Sequence, residues 1–534
     1  MRQRQPAIIK EGSTRRGKQW VVTIVFRFMG LNPQNCHQFR WRASGSRFFL
    51  SLFPAKFFLF YCGLDAAKGD EMTTQSVPQG LQSTKSDYIV AKFGGTSVAN
   101  FEAMSRCSEI IVNDSSVRIV AVSASAGVTN HLVALCKADI DAAERQQHID
   151  GVLAIQQAIL TDLTLDNDLA LGFNNTLDEF QTLAHQILTT EQQHDELLSF
   201  GERLSSYLFT QVLRLKGLNS QRFDVRQVLK TDSQFGKATP NVAATALAAK
   251  EHLIPLLENT VIVTQGFIGS DQNNVTTTLG RGGSDYSAAL LAEAINAKSV
   301  HIWTDVVGIF STDPRLCAKA TPIARLSFDE AAEMATFGAK VLHPATILPA
   351  SRSHINVFVG SSTEPERGGT WIEREKSQLP GIRAVTQRKN QILLTLKSPE
   401  MLLASGFLAR IFTILSECNI SVDLVTTSEI SVAITLDNAP NASRPELDQE
   451  CLDKLAEFCH VSVENNLTLV ALIGSEIVLR QHEMNLMQVL SEFNIRLICH
   501  GASKHNLCFL VEQSESDAVV QAIHSRLLES DCAA

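Results

Sequence analysis

The sequence predicts an α/β fold with a mainly parallel sheet flanked by helices, followed by two smaller α+β modules. Between about 88 and 372, short apolar runs typical of buried strands alternate with longer helical stretches, which is the pattern of an α/β unit. Several of the predicted strands lead into polar turns built from small residues. The strand runs are 119–122, 261–264, 300–303 and 355–359, and the helical stretches include 197–215 and 243–257.

The composition is that of a globular protein with several domains. The 534 residues are 45% hydrophobic and 19% charged, which is enough for two or three domains. The net charge of −9 gives no support to nucleic-acid binding. The 11 cysteines include no Cys-x-x-Cys pair, so their spacing predicts neither a zinc site nor a disulfide framework and favours a reducing cytoplasm.

Residues 1–86 form an atypical N-terminal extension. Residues 1–71 are rich in Arg and Lys and contain an aromatic run at 48–60. Pro54 and Lys56 break that run, and it is shorter than the roughly 20 apolar residues of a spanning helix, so no membrane contact is expected. It also starts too far from the N-terminus for a usual signal peptide. We expect a misassigned start upstream of a true start at Met72, or a disordered segment; an Arg-rich transit peptide is the alternative.

A glycine-rich turn at 279–285, Leu-Gly-Arg-Gly-Gly-Ser-Asp, precedes a predicted helix at 286–296. Glycines let backbone N–H groups approach phosphate oxygens, and the helix directs its free N–H groups and positive dipole end at the same place. Arg281 adds a planar fork suited to a carboxylate or phosphate. The turn predicts an anion site, with an ordinary glycine turn as the alternative for such a motif alone.

A second turn at 92–97, Lys-Phe-Gly-Gly-Thr-Ser, follows an apolar run at 88–91 and precedes an amphipathic stretch at 101–112. Its spacing matches neither a P-loop nor a dinucleotide-binding fingerprint. Lys92 is either a snorkelling surface charge or a compact cation for transferring phosphate. A third turn at 123–130, Ser-Ala-Ser-Ala-Gly-Val-Thr-Asn, supplies small hydroxyl residues. We expect all these turns near the carboxyl ends of parallel strands, where open α/β sheets bind ligands.

The chain beyond 384 contains a weak internal repeat, which follows a polar linker at 373–383. Each copy runs helix, Asn-Ile, strand, turn and strand. The first copy comprises 407–415, 419–423 and 430–436, and the second comprises 487–490, 494–498 and 507–511. A generic α+β tail that stabilises a dimer is the alternative to a pair of binding modules.

These turns and several further motifs resemble the aspartate kinases of the amino-acid-kinase family, specifically the monofunctional, lysine-sensitive type with C-terminal ACT modules. The further motifs are Gly201-Glu202, Phe235-Gly-Lys-Ala, Thr277-Thr-Leu, Trp303-Thr-Asp305, Thr312-Asp-Pro-Arg315 and Phe337-Gly-Ala-Lys-Val-Leu-His-Pro344. Any one motif alone is weak, but together they are highly specific. The resemblance implies a catalytic domain at 87–375 and two βαββαβ ACT modules at 384–460 and 461–534.

The resemblance implies transfer of the γ-phosphoryl group of ATP to the β-carboxylate of L-aspartate, giving 4-phospho-L-aspartate. This reaction is the first step of lysine, threonine and methionine biosynthesis. A carboxylate nucleophile with a pKa of about 4 is already ionised at neutral pH, so no general base is needed. Catalysis then reduces to alignment and charge neutralisation.

The implied site residues fall on the three turns and on Glu202. The catalytic pair is Lys92, which neutralises the transferring phosphoryl group, and Asp285, which organises the lysine. For the substrate, Arg281 with Ser284 takes the α-carboxylate, Glu202 pairs with the ammonium group, and Thr129 holds a carboxylate. The alternative from the residues alone is that Glu202 is a solvated charge at the start of a helix.

The resemblance also implies ATP as cofactor, with Mg²⁺ carried on its phosphates because this ion usually keeps waters and phosphate ligands. No metal site built from protein ligands is expected. One position departs from the family, since Phe310 stands where tyrosine is frequent, and a hydroxyl hydrogen bond is lost there. The implied nucleotide-binding residues are Lys92, Phe93, Gly94, Gly95, Thr304, Asp305, Phe310, Arg315, Lys340 and Val341.

L-lysine is implied as an allosteric inhibitor that binds the first ACT module. Asp423 and Glu429 supply carboxylates for its two ammonium groups, and a surface loop is the alternative. Ala404 replaces a serine common in the family, so one effector hydrogen bond is absent. The implied lysine-binding residues are Met401, Gly406, Phe407, Leu408, Ser421, Val422, Asp423, Thr427, Ser428 and Glu429.

We expect a cytoplasmic homodimer that becomes a tetramer when inhibited, without nucleic-acid or membrane partners. A kinase of another carboxylate, such as glutamate, is the alternative within the same fold. A catalytically silent amino-acid sensor is the alternative from a different class. Retention of Lys92, Arg281 and Asp285 together favours the kinase.

Overall fold

The computed structural model divides the chain into two units, Met1–Gly80 and Leu81–Ala534. It describes residues 86–338, 342–374, 381–402, 405–436, 447–475, 477, 486–501 and 503–529, together with two short strands near the N-terminus. Those strands, Ser13–Arg16 and Gln19–Val22, pair in antiparallel orientation. The aromatic run at 48–60 and Met72 lie outside the described residues. No described helix is long and apolar enough to cross a membrane.

A mainly parallel sheet of eight strands forms the first part of the larger unit. Every neighbouring pair is parallel except one, in which Gly369–Glu373 runs antiparallel to Asn356–Ser361. The predicted fold class is confirmed. In spatial order the strands are Arg325–Ser327, Gly369–Glu373, Asn356–Ser361, Ser299–Thr304, Ile89–Phe93, Val117–Val122, Val261–Gln265 and Ser220–Arg222.

The central strand Ile89–Phe93 is buried along its whole length, as expected for a parallel strand covered on both faces. Its odd-numbered residues pack into one hydrophobic cluster with the helix Glu191–Leu215, including Phe209. Val90 points to the other face and packs into a second cluster with the helix Gly283–Ala294. The helix that carries Glu202 and the helix that carries Asp285 therefore lie on opposite faces of this strand.

Helices follow the predicted alternation, although some of them begin or end at other residues than predicted. The predicted helix 197–215 begins earlier, at Glu191, because Thr190 and Gln193 form a capping box there. The predicted helix 243–257 is an α-helix only as far as Ala248; a wide π turn and a tight 3-10 turn follow, since Pro255 has no N–H to donate. The α-helices of this part are Phe101–Val112, Val128–Leu135, Ala142–Asp162, Asn167–Ala184, Glu191–Leu215, Val242–Ala248, Gly283–Ala294, Phe328–Thr336 and Pro344–Arg352.

An antiparallel sheet of six strands forms the second part of the larger unit. One face carries helices, and the four that are described from end to end pack into two separate clusters. In spatial order the strands are Val422–Thr427, Ser431–Leu436, Ala384–Lys397, His460–Ile473, Asn506–Glu512 and Leu497–His500. The helices are Phe407–Glu417, Gln449–Ala456, Leu486–Leu490 and Ser516–Leu527.

The two central strands of this sheet, Ala384–Lys397 and His460–Ile473, are each 14 residues long and pair along their length. The pairing shifts register near Asn390, which adopts a left-handed conformation with φ 62°. One half of each strand packs in the cluster of the first two helices, and the other half in the cluster of the last two. The boundary predicted between 460 and 461 therefore falls within a shared strand, and the two modules are interleaved.

The opposite face of the second sheet packs on the helix Phe328–Thr336, so one hydrophobic cluster continues from the first sheet to the second. Asn506 Nδ2 donates to Glu333 Oε2 at 2.5 Å, and Arg388 Nη1 donates to the Thr336 carbonyl at 3.3 Å. A Cβ on Gly338 would lie 2.3 Å from the carbonyl oxygen of Gln387, so this contact requires glycine. The end of the helix is thereby held directly against the second sheet.

Candidate active site

Lys92 lies near the carboxyl end of the central strand and is only 8% exposed. Its Nζ atom is 2.6 Å from Oδ1 of Asp285, which belongs to the first turn of the helix Gly283–Ala294. The burial and this pairing exclude the alternative of a snorkelling surface charge. The structure thus brings the two residues predicted to be catalytic into direct contact.

The turn after Lys92 is locked to its neighbours by backbone hydrogen bonds. The Ser123 N–H donates to the carbonyl of Phe93 at 3.1 Å, and the Ala126 N–H donates to the carbonyl of Gly95 at 3.1 Å. A Cβ on Gly95 would lie 2.9 Å from the Ala124 carbonyl oxygen, so only glycine permits this approach. The second and third predicted turns therefore form one continuous surface.

The side chain of Phe93 points into the core, where its ring centroid is 5.5 Å from that of Phe209 and 6.5 Å from that of Trp303. Contact between this residue and a nucleotide is therefore restricted to its backbone.

Glu202 is only 6% exposed and lies within the helix Glu191–Leu215. Burial raises its pKa from 4.5 to about 8, although the Ala124 N–H and the charge of Lys92 oppose the shift. A Cβ on Gly201 would lie 2.6 Å from the Ala124 Cβ, so this glycine lets the helix approach the third turn. A solvated charge at a helix start is excluded, and Glu202 faces the same space as Lys92.

The glycine-rich turn uses its glycines for left-handed backbone, with φ 73° at Gly280 and 74° at Gly282. The helix begins at Gly283, three residues before the predicted start, because Gly282 is its N-cap. This extension places Ser284 and Asp285 in the first helical turn, where a carboxylate is favoured by the helix dipole. Arg281 remains exposed at the turn.

Two further residues predicted to bind substrate, Ser284 and Thr129, lie in the first turns of helices. Ser284 packs against Gly266, where a Cβ would lie 2.7 Å from the Ser284 Cβ. Thr129 lies in the first turn of the helix Val128–Leu135 and is exposed. Ser284 is half-buried.

Thr304 lies beside Gly94 and Gly95, the glycine pair in the turn after Lys92. The Gly94 N–H donates to the carbonyl of Trp303 at 3.1 Å, and the Ser362 N–H donates to the carbonyl of Thr304 at 2.8 Å. The hydroxyl of Ser362 is also 2.7 Å from that of Ser97. These contacts join the end of the strand Ser299–Thr304 to the turn that follows Lys92.

The other residues predicted to bind the nucleotide are more widely spread. Asp305 is exposed, and Phe310 is half-buried and paired with Pro322 in an isolated β-bridge. Arg315 is exposed, with its guanidinium 2.7 Å from Asp313, and no hydrogen bond or ion pair described in the structure joins it to the glycine turns. Lys340 and Val341 lie outside the described residues.

Comparison with known proteins accounts for this arrangement. The family model described as the amino acid kinase family matches residues 87–361, and an ACT domain model matches residues 480–527. A lysine-sensitive aspartokinase 3 from Escherichia coli is 50% identical over 449 residues, which is 83% of this chain and 100% of the relative. The chain belongs to the amino acid kinase family.

Two solved structures of E. coli aspartokinase III share the fold of this amino acid kinase at 50% identity. The complex with aspartate and ADP, an R-state, has a TM-score of 0.75 and covers 82% of this chain and 99% of its own. The complex with lysine and aspartate, a T-state, has a TM-score of 0.72 and covers 83% of this chain and 100% of its own.

Asp195 supports the site of this kinase and was not predicted from the sequence. It is fully buried and accepts hydrogen bonds from the Gly236 N–H at 2.9 Å and from the Thr278 N–H and hydroxyl at 2.8 and 2.7 Å. Burial raises its pKa, while these hydrogen bonds oppose the shift. Asp195 thus ties the Phe235-Gly-Lys-Ala segment to the strand that leads into the glycine-rich turn.

His343 is a second supporting residue that sequence reasoning missed. A Cβ on Gly282 would lie 2.4 Å from the His343 Cβ, and the Nδ1 atom of His343 accepts from the Ala345 N–H at 3.3 Å. Burial lowers the pKa of His343, Arg281 and Lys237 lower it further, and Asp285 opposes the shift. The signal was present in the quoted His-Pro344 motif, but no spacing rule assigns a role to that histidine.

The predicted regulatory positions divide into two groups. Asp423 forms an ion pair with Arg388 and its side chain is only 11% exposed, whereas Glu429 is exposed beyond the end of the strand Val422–Thr427. Four residues of extended strand, roughly 13 Å, already separate Asp423 from Thr427. The strand Val422–Thr427, which carries Asp423, lies at the edge of its sheet.

The remaining regulatory positions surround this strand and the neighbouring helix. Gly406 is the N-cap of the helix Phe407–Glu417, with φ 87°, and Ser428 closes the hairpin, since its hydroxyl is 2.7 Å from that of Ser431. Ala404 lies outside the described residues. The partly buried members are Met401, Phe407 and Val422, and the exposed members are Gly406, Leu408, Ser421, Thr427, Ser428 and Glu429.

Proposed function

We propose that the chain is an aspartate kinase that transfers the γ-phosphoryl group of ATP to the β-carboxylate of L-aspartate and is inhibited by lysine. The observation that carries this proposal is the buried Lys92–Asp285 pair, at 2.6 Å, in the same space as the buried Glu202. The E. coli relative of 50% identity was solved with aspartate and ADP. The product, 4-phospho-L-aspartate, opens the route to lysine, threonine and methionine.

The chemistry requires alignment and charge stabilisation rather than proton removal. The aspartate β-carboxylate attacks the γ-phosphorus in its ionised form, and ADP leaves. Lys92 neutralises the charge of the transferring group, and Asp285 holds the lysine ammonium in place. Backbone N–H groups of the adjacent glycine turns and of the helix that begins at Gly283 add fixed positive dipoles.

The substrate is held through its own charges. Arg281 and Ser284 take the α-carboxylate, Glu202 takes the ammonium group, and Thr129 holds a carboxylate. A longer substrate such as glutamate places its side-chain carboxylate one methylene away from the position set by these groups, which disturbs in-line attack. The set therefore favours aspartate over other amino-acid carboxylates.

ATP enters as its magnesium complex, and the ion remains on the phosphates. The carboxylate nearest the glycine turns, Asp285, is already paired with Lys92, which supports this assignment over a protein-built cage. We assign the nucleotide to the surface formed by Gly94, Gly95, Thr304 and Asp305. Its other proposed contacts are Phe93 through the backbone, Phe310, Arg315, Lys340 and Val341.

Lysine binds the second sheet at a site that two copies of the chain complete. A solved E. coli relative contains lysine and aspartate in its T-state. The strand Val422–Thr427 is an edge strand whose last three residues are exposed, which supports a homodimer that pairs along this edge, with each effector site taking Asp423 from one copy and Glu429 from the other. The remaining proposed effector contacts lie around these carboxylates, and further association to a tetramer accompanies inhibition.

The described cysteines are free thiols, which supports a cytoplasmic enzyme. We divide the chain into a catalytic domain at 87–375 and a regulatory part from 384 onward. Within that part, the first module includes the helices Phe407–Glu417 and Gln449–Ala456, and the second includes Leu486–Leu490 and Ser516–Leu527. The two modules share the strands Ala384–Lys397 and His460–Ile473.

The test is a coupled assay of ADP release with aspartate or glutamate, in the presence of lysine or threonine. We expect turnover with aspartate, little with glutamate, and inhibition by lysine alone. Equal turnover of aspartate and glutamate would mean that the enzyme acts on a wider class of amino-acid carboxylates. No turnover together with retained lysine binding would establish the silent sensor instead.

A further inference from the structure

A cluster of metal-ligating side chains lies where the loop after the strand Ser299–Thr304 meets the helix Ser516–Leu527. Cys317 belongs to the loop, His524 to the helix, and Glu529 follows the helix end. One ligand atom from each of the three lies within 4.8 Å of the others. Cys317 Sγ is 3.5 Å from His524 Nδ1, and this nitrogen is 3.4 Å from Glu529 Oε1.

These separations match the edges of a zinc tetrahedron. With Zn–S of about 2.3 Å and Zn–N or Zn–O of about 2.0–2.1 Å, tetrahedral angles give sulfur–nitrogen edges of about 3.5 Å and nitrogen–oxygen edges of about 3.4 Å. A hydrogen bond between the nitrogen and the carboxylate would instead measure about 2.7–3.2 Å. The observed 3.4 Å is long for that bond and fits a shared ion.

The groups behind the ligands fix their orientation. His524 is 1% exposed, and its Nε2 atom is 2.9 Å from the hydroxyl of Ser311, so a proton on Nε2 is satisfied there and leaves Nδ1 with a free lone pair. Lys319 Nζ is 2.7 Å from Oε2 of Glu529, which leaves Oε1 for an ion.

We propose that Cys317, His524 and Glu529 form a binding site for a divalent cation of the zinc type, with water as the fourth ligand. Binding forms a metal–thiolate bond, and the thiol proton of Cys317 leaves to solvent. His524 binds in its neutral form and Glu529 as a carboxylate. Cys317 and Glu529 are both half-buried, which leaves a path for the ion and room for the water.

A second cluster, formed by Cys418, Asp448 and Cys451, is the rival for such an ion. Asp448 already accepts the Cys451 N–H at 2.7 Å as the cap of the helix Gln449–Ala456, so one of its oxygens is occupied. That cluster contains no histidine. The first site is favoured because it contains a histidine and because two of its ligand separations, 3.5 and 3.4 Å, match the edges of a zinc tetrahedron.

The site fastens the C-terminal helix to the loop that carries Arg315. Gln521 Nε2 also donates to the Leu316 carbonyl at 2.8 Å, so the helix already contacts that loop through the backbone. A bound ion adds a covalent-like link between the loop and the second sheet's last helix. The predicted result is a higher melting temperature of the full chain with Zn²⁺, because the ion binds the folded state.

The experiment is a titration of the metal-free full-length protein with Co²⁺, which reports thiolate ligation by a near-ultraviolet charge-transfer band. We expect one equivalent to give this band together with the intense visible bands of four-coordinate cobalt, and Zn²⁺ to displace it. Cys317→Ser should abolish the band. Glu529→Gln should keep it but weaken binding at least about tenfold.

Cys418→Ser is the matched control, since it disables the rival cluster and should leave the band unchanged. Melting curves with Zn²⁺ provide a second readout, in which the wild type and Cys418→Ser gain stability and Cys317→Ser does not. Absence of the thiolate band in the wild type overturns the proposal. Loss of the band in Cys418→Ser with retention in Cys317→Ser overturns it as well.

Discussion

At the scale of single residues, Glu202 links the electrostatics of the site to substrate binding. Its pKa of about 8 means that the carboxyl is largely protonated at pH 7 in the free protein, whereas pairing with an ammonium group requires the ionised form. We therefore predict that aspartate binding at pH 7 releases a proton and that affinity increases as the pH rises towards 8. Calorimetry in two buffers of different ionisation enthalpy measures this release.

Glu202→Gln is the comparison for that measurement. This variant should bind aspartate more weakly and without proton release, because the amide has no charge to gain. Identical proton release in the variant and the wild type would mean that another group titrates and that Glu202 does not contact the ammonium.

The same carboxyl sets a pH dependence of stability. Its folded pKa is raised from 4.5 to about 8, so between these values the native state binds more protons than the unfolded state. The stability that Glu202 contributes is therefore lost as pH rises through this window, with a slope of at most about 1.4 kcal/mol per pH unit. Denaturant unfolding at pH 5 and pH 8 should show a smaller decline for Glu202→Gln than for the wild type.

Part of the site was predictable from residue types and their local spacing in the sequence. Lys92 and Asp285 were expected from two glycine turns, and the structure pairs them at 2.6 Å. The burial of Glu202 was not predictable, because it depends on Gly201 approaching Ala124 in another turn. Asp195 was missed for a related reason, since its partner Thr278 lies 83 positions away.

At the scale of elements, Asp195 holds a loop and a strand together from the helix Glu191–Leu215. Asp195→Ala leaves the Gly236 and Thr278 N–H groups without their charged acceptor, which should cost about 2 kcal/mol or more of stability. The KM for aspartate should also rise, because Thr278 leads into the glycine-rich turn. Unfolding curves and steady-state kinetics check the two effects.

Asp232→Ala is the matched control for this change. Asp232 accepts the N–H groups of Gln234 and Thr239 in the same loop but is partly exposed, so water replaces the lost contacts. Its cost should be smaller, about 1 kcal/mol. Equal losses in the two variants would show that the connection to Thr278 does not matter.

Arg388 connects the two sheets and is expected to couple effector binding to catalysis. Its guanidinium pairs with Asp423 and donates to the carbonyl of Thr336, the last residue of the helix that leads towards Lys340. An ammonium group of bound lysine that pairs with Asp423 competes with Arg388 and weakens the contact between Arg388 and the helix. Arg388→Gln removes the competitor for Asp423 and should therefore lower the lysine concentration for half-inhibition about tenfold, and direct measurement should show tighter lysine binding.

Arg383→Gln serves as the control, because Arg383 contacts the carbonyl of Arg325 in the first part of the chain without contacting Asp423. Its lysine sensitivity should remain close to that of the wild type. If Arg388→Gln is inhibited like the wild type, coupling takes another route; if neither protein binds lysine, the effector assignment itself fails.

At the scale of the whole molecule, the order of elements was predictable and their interleaving was not. The repeated helix and strand pattern indicated two modules, but Ala384 pairs with Ile473 and Lys397 with His460, so each long strand serves both. The cluster of Cys317 and His524 shows the same limit. These residues are 207 positions apart, and no local spacing connects them.

The shared effector site predicts complementation between chains. Asp423→Ala and Glu429→Ala should each lose lysine inhibition as homodimers, while a mixed dimer regains one intact site. Co-expression with two different tags isolates the mixed species, and its inhibition curve should recover about half of the wild-type sites. Mixed dimers as insensitive as the homodimers would place both carboxylates in one chain's site.

The most direct test of the central claim is the formation of an acyl phosphate from aspartate and ATP, trapped by hydroxylamine as the hydroxamate. The wild type should form it, and Lys92→Ala should form it at least about a hundredfold more slowly while retaining aspartate binding, because the lysine acts on the transferring phosphoryl group. No hydroxamate from the wild type, or an equal rate in Lys92→Ala, would contradict the account.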